Sequence, residues 1–170
     1  MHSPGVSNTM QKRPNFDSFS CQPLFLNGNQ LDFVPQWKYL GVTIMSEGFF
    51  CCSVNKPRST LYRSSNSILN VLNRPSEDVQ LRLLYSICVP NLTYACDVVD
   101  YHSKDKQSLH VALNDAIRKI FGYDRWQSVK DIRKSRGYLS VTEIFAERKS
   151  TFDSRLSRIG NSLLSSLSVI

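Results

Sequence analysis

The chain has 170 residues, 41% of them apolar and 11% aromatic, with a formal charge of +7. This composition suits one packed domain that buries about two-thirds of its unfolded surface, and it excludes a wholly disordered chain. Apolar runs are only a few residues long, which excludes a membrane-spanning helix, and no membrane partner is expected.

Residues 1–20 are rich in Ser, Asn and Pro without an apolar period, and they read as a disordered or truncated start. Residues 21–54 form the next unit. Leu24-Phe25-Leu26, Asn27-Gly28-Asn29 and Leu31-Asp32-Phe33-Val34 predict a hairpin around an Asn-Gly turn, ended by Pro35. A strand follows over Trp37–Ile44, rich in aromatic and β-branched residues. Gly41 in its middle marks a bend or a close backbone approach. Beyond Gly48 and a short apolar link, residues 55–159 carry a helical period. Leu61, Ile68, Leu69 and Leu72 share one face, closed by Asn73 and Pro75. Ser76 is placed to cap a second helix with Glu77 and Asp78 in its first turn and Val79, Leu83, Leu84, Ile87 and Cys88 inward. Pro90 predicts a kink or break at Val89. A third helix runs from Ser103 to Phe121 and stops at Gly122. Its inward residues are Leu109, Leu113, Ala116, Ile117, Ile120 and Phe121. A short piece over Ser128–Ser135 precedes Gly137. The last helix opens with Ser140 and Glu143 as a capping box and turns Val141, Ile144, Phe145, Phe152 and Leu156 inward. Residues 160–170 read as a frayed tail. The fold class is mainly α with a small antiparallel β element on the N-terminal side, an α+β arrangement.

Cysteines 21, 51, 52, 88 and 96 include no C-x-x-C pair and no His at zinc spacing, so reduced intracellular thiols are expected, with Cys88 and Cys96 as core fillers. Charge is unevenly placed. Residues 1–117 hold ten Lys/Arg and nine Asp/Glu, whereas residues 118–158 hold eleven and five. Such a bias favours a polyanion, nucleic acid or an anionic surface, with a solvated helix face as the plain alternative.

Four stretches, in this order, resemble the C-terminal part of non-LTR (LINE-type) retrotransposon reverse transcriptases. Trp37-Lys38-Tyr39-Leu40-Gly41-Val42 is similar to the Leu-Gly motif that ends the palm, the primer grip. Leu83-Leu84-Tyr85 through Pro90-Asn91-Leu92-Thr93-Tyr94 is similar to a thumb helix with its Pro-x-Leu-x-Tyr ending. Asn114 through Arg118-Lys119-Ile120-Phe121 resembles the Asn-x-x-x-Arg pattern that follows. Gly137-Tyr138-Leu139 with Ile144, Arg148 and Phe152 resembles the distal helix. The resemblance implies a thumb-like helical bundle that grips template–primer nucleic acid, either RNA–DNA hybrid or duplex DNA. It also implies a palm-and-fingers partner and a nuclear location.

Phosphoryl transfer in such polymerases needs paired carboxylates holding two metal ions. The family places them in an aromatic-Ala-Asp-Asp hairpin, and this sequence has no Asp-Asp pair. Tyr94-Ala95-Cys96-Asp97 offers one carboxylate at a helix end. No catalytic residue is therefore assigned, no activity is expected of the chain alone, and Mg2+ is expected only in a complete polymerase. In the resemblance-based roles, Gly41 permits close backbone approach, Tyr39 and Leu40 form a packed wall, and Lys38 meets a phosphate. Arg58, Arg63, Arg118, Lys119, Arg125, Lys130, Arg133, Lys134 and Arg136 are the candidates for tracking the duplex by charge and shape. The run 130–136 is the strongest cluster. Trp126 either stacks on a base or anchors the short helix in the core. Two other readings share these residues: a stand-alone basic helical module that binds nucleic acid, and a helical scaffold whose charge only keeps it soluble.

Overall fold

A computed structural model describes residues 22–47, 49–71, 75–99 and 101–158. The expectations for residues 1–20, for Leu72 and Asn73, and for the tail from Gly160 lie outside the described residues. The fold is mainly helical with two small antiparallel sheets on the N-terminal side.

The first hairpin pairs β1 (Phe25–Leu26) with β2 (Asn29–Gln30). Asn27 and Gly28 both have positive φ, as a two-residue type I′ turn requires. Its arms are shorter than the sequence predicts: Leu31 still donates its N–H to the Leu24 carbonyl, but 32–34 are unpaired. The segment read as one strand over Trp37–Ile44 is a second hairpin. β3 (Gln36–Tyr39) and β4 (Val42–Glu47) flank a Leu40-Gly41 turn with φ of 45° and 84°. Positive φ at both central residues supplies the twist that the strands need, so Gly41 makes a full reversal where a bend or a close backbone approach was expected. The apolar link beyond Gly48 is a further strand, β5 (Phe49–Cys52), paired with β4. Four apolar residues in a row carry no alternation, which hides such a strand from period-based reading.

Cys52 and Val54 carry the sheet into the core, and α1 (Asn55–Val71) follows at once. Val42 and Ile44, alternating with Thr43 along β4, pack against the same core. Helix α1 buries Leu61, Ser65 and Ile68, and the Ser65 hydroxyl is satisfied by the Tyr62 carbonyl. α2 (Glu77–Leu83) begins with its acids against the helix dipole. The Ser76 side chain makes no cap bond; instead the Gln80 amide donates to the Pro75 carbonyl at 2.8 Å. Where a kink or break was expected at Val89, the helix does not break but changes its winding. The chain widens into one π-helical segment, Leu84–Cys88, and continues as α3 (Val89–Leu92) through Pro90. A π turn offsets the carbonyl register, with Val89 N–H donating to the Leu84 carbonyl, so the helix passes Pro90, which has no N–H to donate; the Asn91 side chain adds a bond to the Ile87 carbonyl. The buried stripe is therefore Leu81, Leu84 and Cys88, while Val79 and Ile87 of the expected stripe are exposed.

α4 (Ser103–Phe121) is the centre of the bundle and has the predicted bounds, with Gly122 left-handed at its C-cap. Leu109, Ala112, Leu113, Ala116, Ile117 and Ile120 are buried against α1, α2 and α6 (Val141–Arg158). Short α5 (Lys130–Ser135) leads through Gly137 to α6. The capping box forms as the sequence predicts: Ser140 N–H donates to a Glu143 oxygen at 2.6 Å, and Glu143 N–H to the Ser140 hydroxyl at 3.2 Å. Cys88 and Cys96 are core fillers, as expected.

Leu40 is a poor residue for a left-handed turn position, where Asn is preferred ahead of Gly. Leu40→Asn is expected to raise the thermal midpoint by a few degrees, and Gly41→Ala to destabilise by about 1–2 kcal/mol through its φ. Thermal unfolding of the two variants checks both signs.

Candidate nucleic-acid interface

The Leu40-Gly41 turn is braced by the helical bundle. Tyr94, just after α3, donates its hydroxyl to the Leu40 carbonyl at 3.0 Å. A Cβ on Gly41 would sit 3.3 Å from the Tyr94 ring, so only glycine gives this spacing without displacement. Two of the stretches read separately from the sequence thus meet in space. The side chains do not form the expected packed wall. Tyr39 and Leu40 are 60% and 72% exposed, and the support comes from Tyr94 behind the backbone. An apolar side chain is held outward at the tip of a strained turn.

Lys38, beside that turn, reaches Lys56 in the first turn of α1. The Lys38 charge holds the Lys56 ammonium below the usual lysine range. The first turn of α1 contains no acid to relieve the pair, and the positive end of the helix dipole adds to the repulsion. Further along α1, Arg63 lies seven residues from Lys56, about 20° apart around the helix, and both are exposed.

A second cationic line follows the α1–α4 seam. Arg58 donates to the Ser108 hydroxyl at 2.9 Å, and Lys119 lies 3.4 Å from the Asn66 side-chain oxygen and 5.9 Å from the Tyr62 ring centroid. These cations meet neutral partners, which leaves their charge for a ligand. Arg118, the next residue to Lys119, is committed otherwise: it pairs with Asp115 at 2.8 Å and donates to the Gln127 carbonyl at 2.9 Å.

The run 130–136 divides by helical phase. Lys130 and Lys134, one turn apart, are exposed on α5. Arg133 must be withdrawn from the candidates. Val129 and Arg133 are the buried face of this short helix, and the Arg133 guanidinium donates to Glu143 at 3.1 Å. A guanidinium turned inward to pair the capping carboxylate of α6 has no reach to a phosphate. Arg136 pairs with Asp78 of α2 and lies 5.0 Å from the Phe121 ring, so it joins elements as well as carrying charge. Arg125 is exposed in the loop after α4, and Trp126 beside it is 90% exposed, which excludes the core-anchor alternative.

Lys56 and Tyr62 were missed by sequence reasoning. Lys56 lies between Asn55 and Pro57 outside every motif read in the sequence, and only the hairpin's return brings Lys38 to it. His110 and Asn114 bond to each other at 3.0 Å on α4, and burial lowers the His110 pKa. No protein-family model, curated protein or solved structure matches the chain.

Hydrogen bonding by the Ser140 side chain and backbone, followed by the Arg133 charge, holds the Glu143 carboxyl down at about 2, below its ordinary 4.5. A carboxylate depressed on folding adds stability that is complete above its ordinary pKa and is lost as pH falls toward the folded value. Glu143→Gln keeps the capping geometry but not the charge. Its thermal midpoint is expected to lie below wild type at neutral pH, with the gap closing between pH 4.5 and about 2. Parallel pH-dependent unfolding of the two proteins measures it.

Proposed function

We propose that this chain is the template–primer-holding part of an RNA-directed DNA polymerase of the non-LTR retrotransposon type, and that it grips nucleic acid without performing phosphoryl transfer. The observation that carries the reading is the Leu40-Gly41 turn braced on Tyr94, with the mutually repelling Lys38 and Lys56 alongside. Residues held in sparsely populated conformations cluster at sites that contact ligands, and Leu40 is both left-handed and exposed. A rigid backbone edge can abut a sugar without reading sequence, and two unrelieved ammonium groups favour a phosphate between them.

The α1–α4 seam, through Arg58 and Lys119, extends the positive surface, and Lys130 and Lys134 supply a further pair on α5. Contacts of this kind follow backbone charge and groove shape, as recognition of an RNA–DNA hybrid or a DNA duplex requires. Leu24, Phe25, Leu26, Phe33 and Trp37 are more than half exposed around the small sheets. Exposed apolar side chains of that number support a neighbouring protein segment, which the resemblance identifies with the remainder of palm and fingers. Chemistry is assigned to that remainder, because the sequence lacks an Asp-Asp pair.

Titration of a labelled RNA–DNA template–primer over a salt series tests the reading. Binding is expected to weaken linearly in log–log form, and Lys38→Ala and Lys56→Ala should each reduce the slope by about one unit. A flat series would establish the scaffold reading instead.

A further inference from the structure

The loop between α4 and α5 holds an exposed indole on a hydrogen-bonded frame. Gly122 ends α4 in the left-handed conformation, and Tyr123 N–H then donates to the Arg118 carbonyl at 2.9 Å. Residues Asp124–Gln127 close a turn through Gln127 N–H to the Asp124 carbonyl at 3.0 Å. The Gln127 side chain returns the bond, accepting Asp124 N–H at 2.7 Å. The Arg118 side chain fastens the far end by donating to the Gln127 carbonyl. One arginine therefore brackets the turn at both ends, its backbone on one side and its guanidinium on the other. Val129, buried at 3% exposure, anchors the exit. At the tip of this frame Trp126 is 90% exposed.

A side chain of that size carries a large apolar surface, and leaving it in water forgoes the stabilisation that burial brings. The frame fixes its position without covering it, which is how a recognition element is pre-organised. The surroundings narrow the ligand. Its chain neighbours Asp124, Arg125, Gln127 and Ser128 are all exposed and polar, and the one other exposed aromatic of the loop, Tyr123, packs its ring near Phe121 at 6.2 Å between centroids. A membrane-inserting loop or a protein hot spot needs further apolar groups around the indole, whereas stacking on a flat ring needs only an open face. Arg125 adjoins that face, and Lys130 and Lys134 follow on α5. Inside a duplex both faces of every base are covered, so away from the end pairs the ring available to Trp126 is an unpaired one.

We infer that Trp126 is a stacking platform for an unpaired nucleobase of a single-stranded RNA or DNA segment, with Arg125 and the exposed lysines of α5 meeting its backbone. This inference rests on the nucleic-acid reading above and adds a single-strand subsite to it.

The chain has two tryptophans, so Trp37→Phe leaves Trp126 as the only indole reporter. Short oligothymidylate, a blunt RNA–DNA duplex, and vesicles of mixed phosphatidylcholine and phosphatidylserine are the probes. Oligothymidylate is expected to quench the fluorescence, and Trp126→Ala to weaken its binding about tenfold, with most of the loss restored by Trp126→Phe. Blunt-duplex affinity should change little in the same variants. Unquenched fluorescence, or equal oligothymidylate affinity for wild type and Trp126→Ala, overturns the inference while leaving salt-dependent duplex binding in place. A blue shift with vesicles but no response to oligothymidylate also overturns it, in favour of a membrane surface. Loss of binding to every nucleic acid defeats this inference and the function proposed above together.

Discussion

Helix α4 must bury six apolar side chains along one face, and the arrangement of the other helices answers that requirement. With α1 along one flank, cations on the two helices share a seam; Arg58 and Lys119 sit there opposite neutral partners. The charge pattern is thus set by packing. Arg118 and Lys119 are neighbours in sequence, yet one turns to α1 and the other to the loop that follows. Adjacent helical positions differ by about 100°, which suffices to give two consecutive cations unrelated duties.

The stretches that resemble a polymerase thumb are also the joints of this fold. Tyr85 stacks on Tyr138 at 4.2 Å and donates to the Leu139 carbonyl, and Arg148 donates to the carbonyl of buried Thr93. Tyr94 braces the Leu40-Gly41 turn. These residues have a sufficient structural reason to be where they are. The proposed function therefore rests on groups whose placement the fold does not need: exposed Leu40 in a left-handed turn, the Lys38–Lys56 pair, and the lysines of α5.

Much of the helical architecture was legible in the sequence because period and punctuation agreed. Gly122 stops α4 where the apolar stripe ends, and Ser140 with Glu143 announces α6. Three features were not legible, each for a physical reason. Leu40 is no turn former, so the reversal at Leu40-Gly41 was hidden inside an apparent strand. The π segment before Pro90 shifts which side of the helix faces inward, which a fixed period cannot represent. The inward turn of Arg133 depends on Val129 being buried, and a run of six polar or charged residues around one Ile gives no sign of which cation points home. Among the candidate site residues, their identity as cations was plain from the sequence, but which of them remained available required the packed structure.

The long-range ties share one more property. Tyr94 to Leu40, Arg58 to Ser108, Lys119 to Asn66, Tyr85 to Leu139, Arg148 to Thr93 and Arg136 to Asp78 each join residues 50 to 58 positions apart. Closure is therefore staggered along the chain, each segment being completed by one synthesised about fifty residues later. A nascent polypeptide that has emerged only as far as Phe121 already owns the brace on the hairpin and the α1–α4 seam. It still lacks the partners of Tyr85, Thr93 and Asp78 in this set. α2 and α3 already have α1 and α4 to pack against at that length, so what the arrival of α5 and α6 adds to them is this last group of directional bonds.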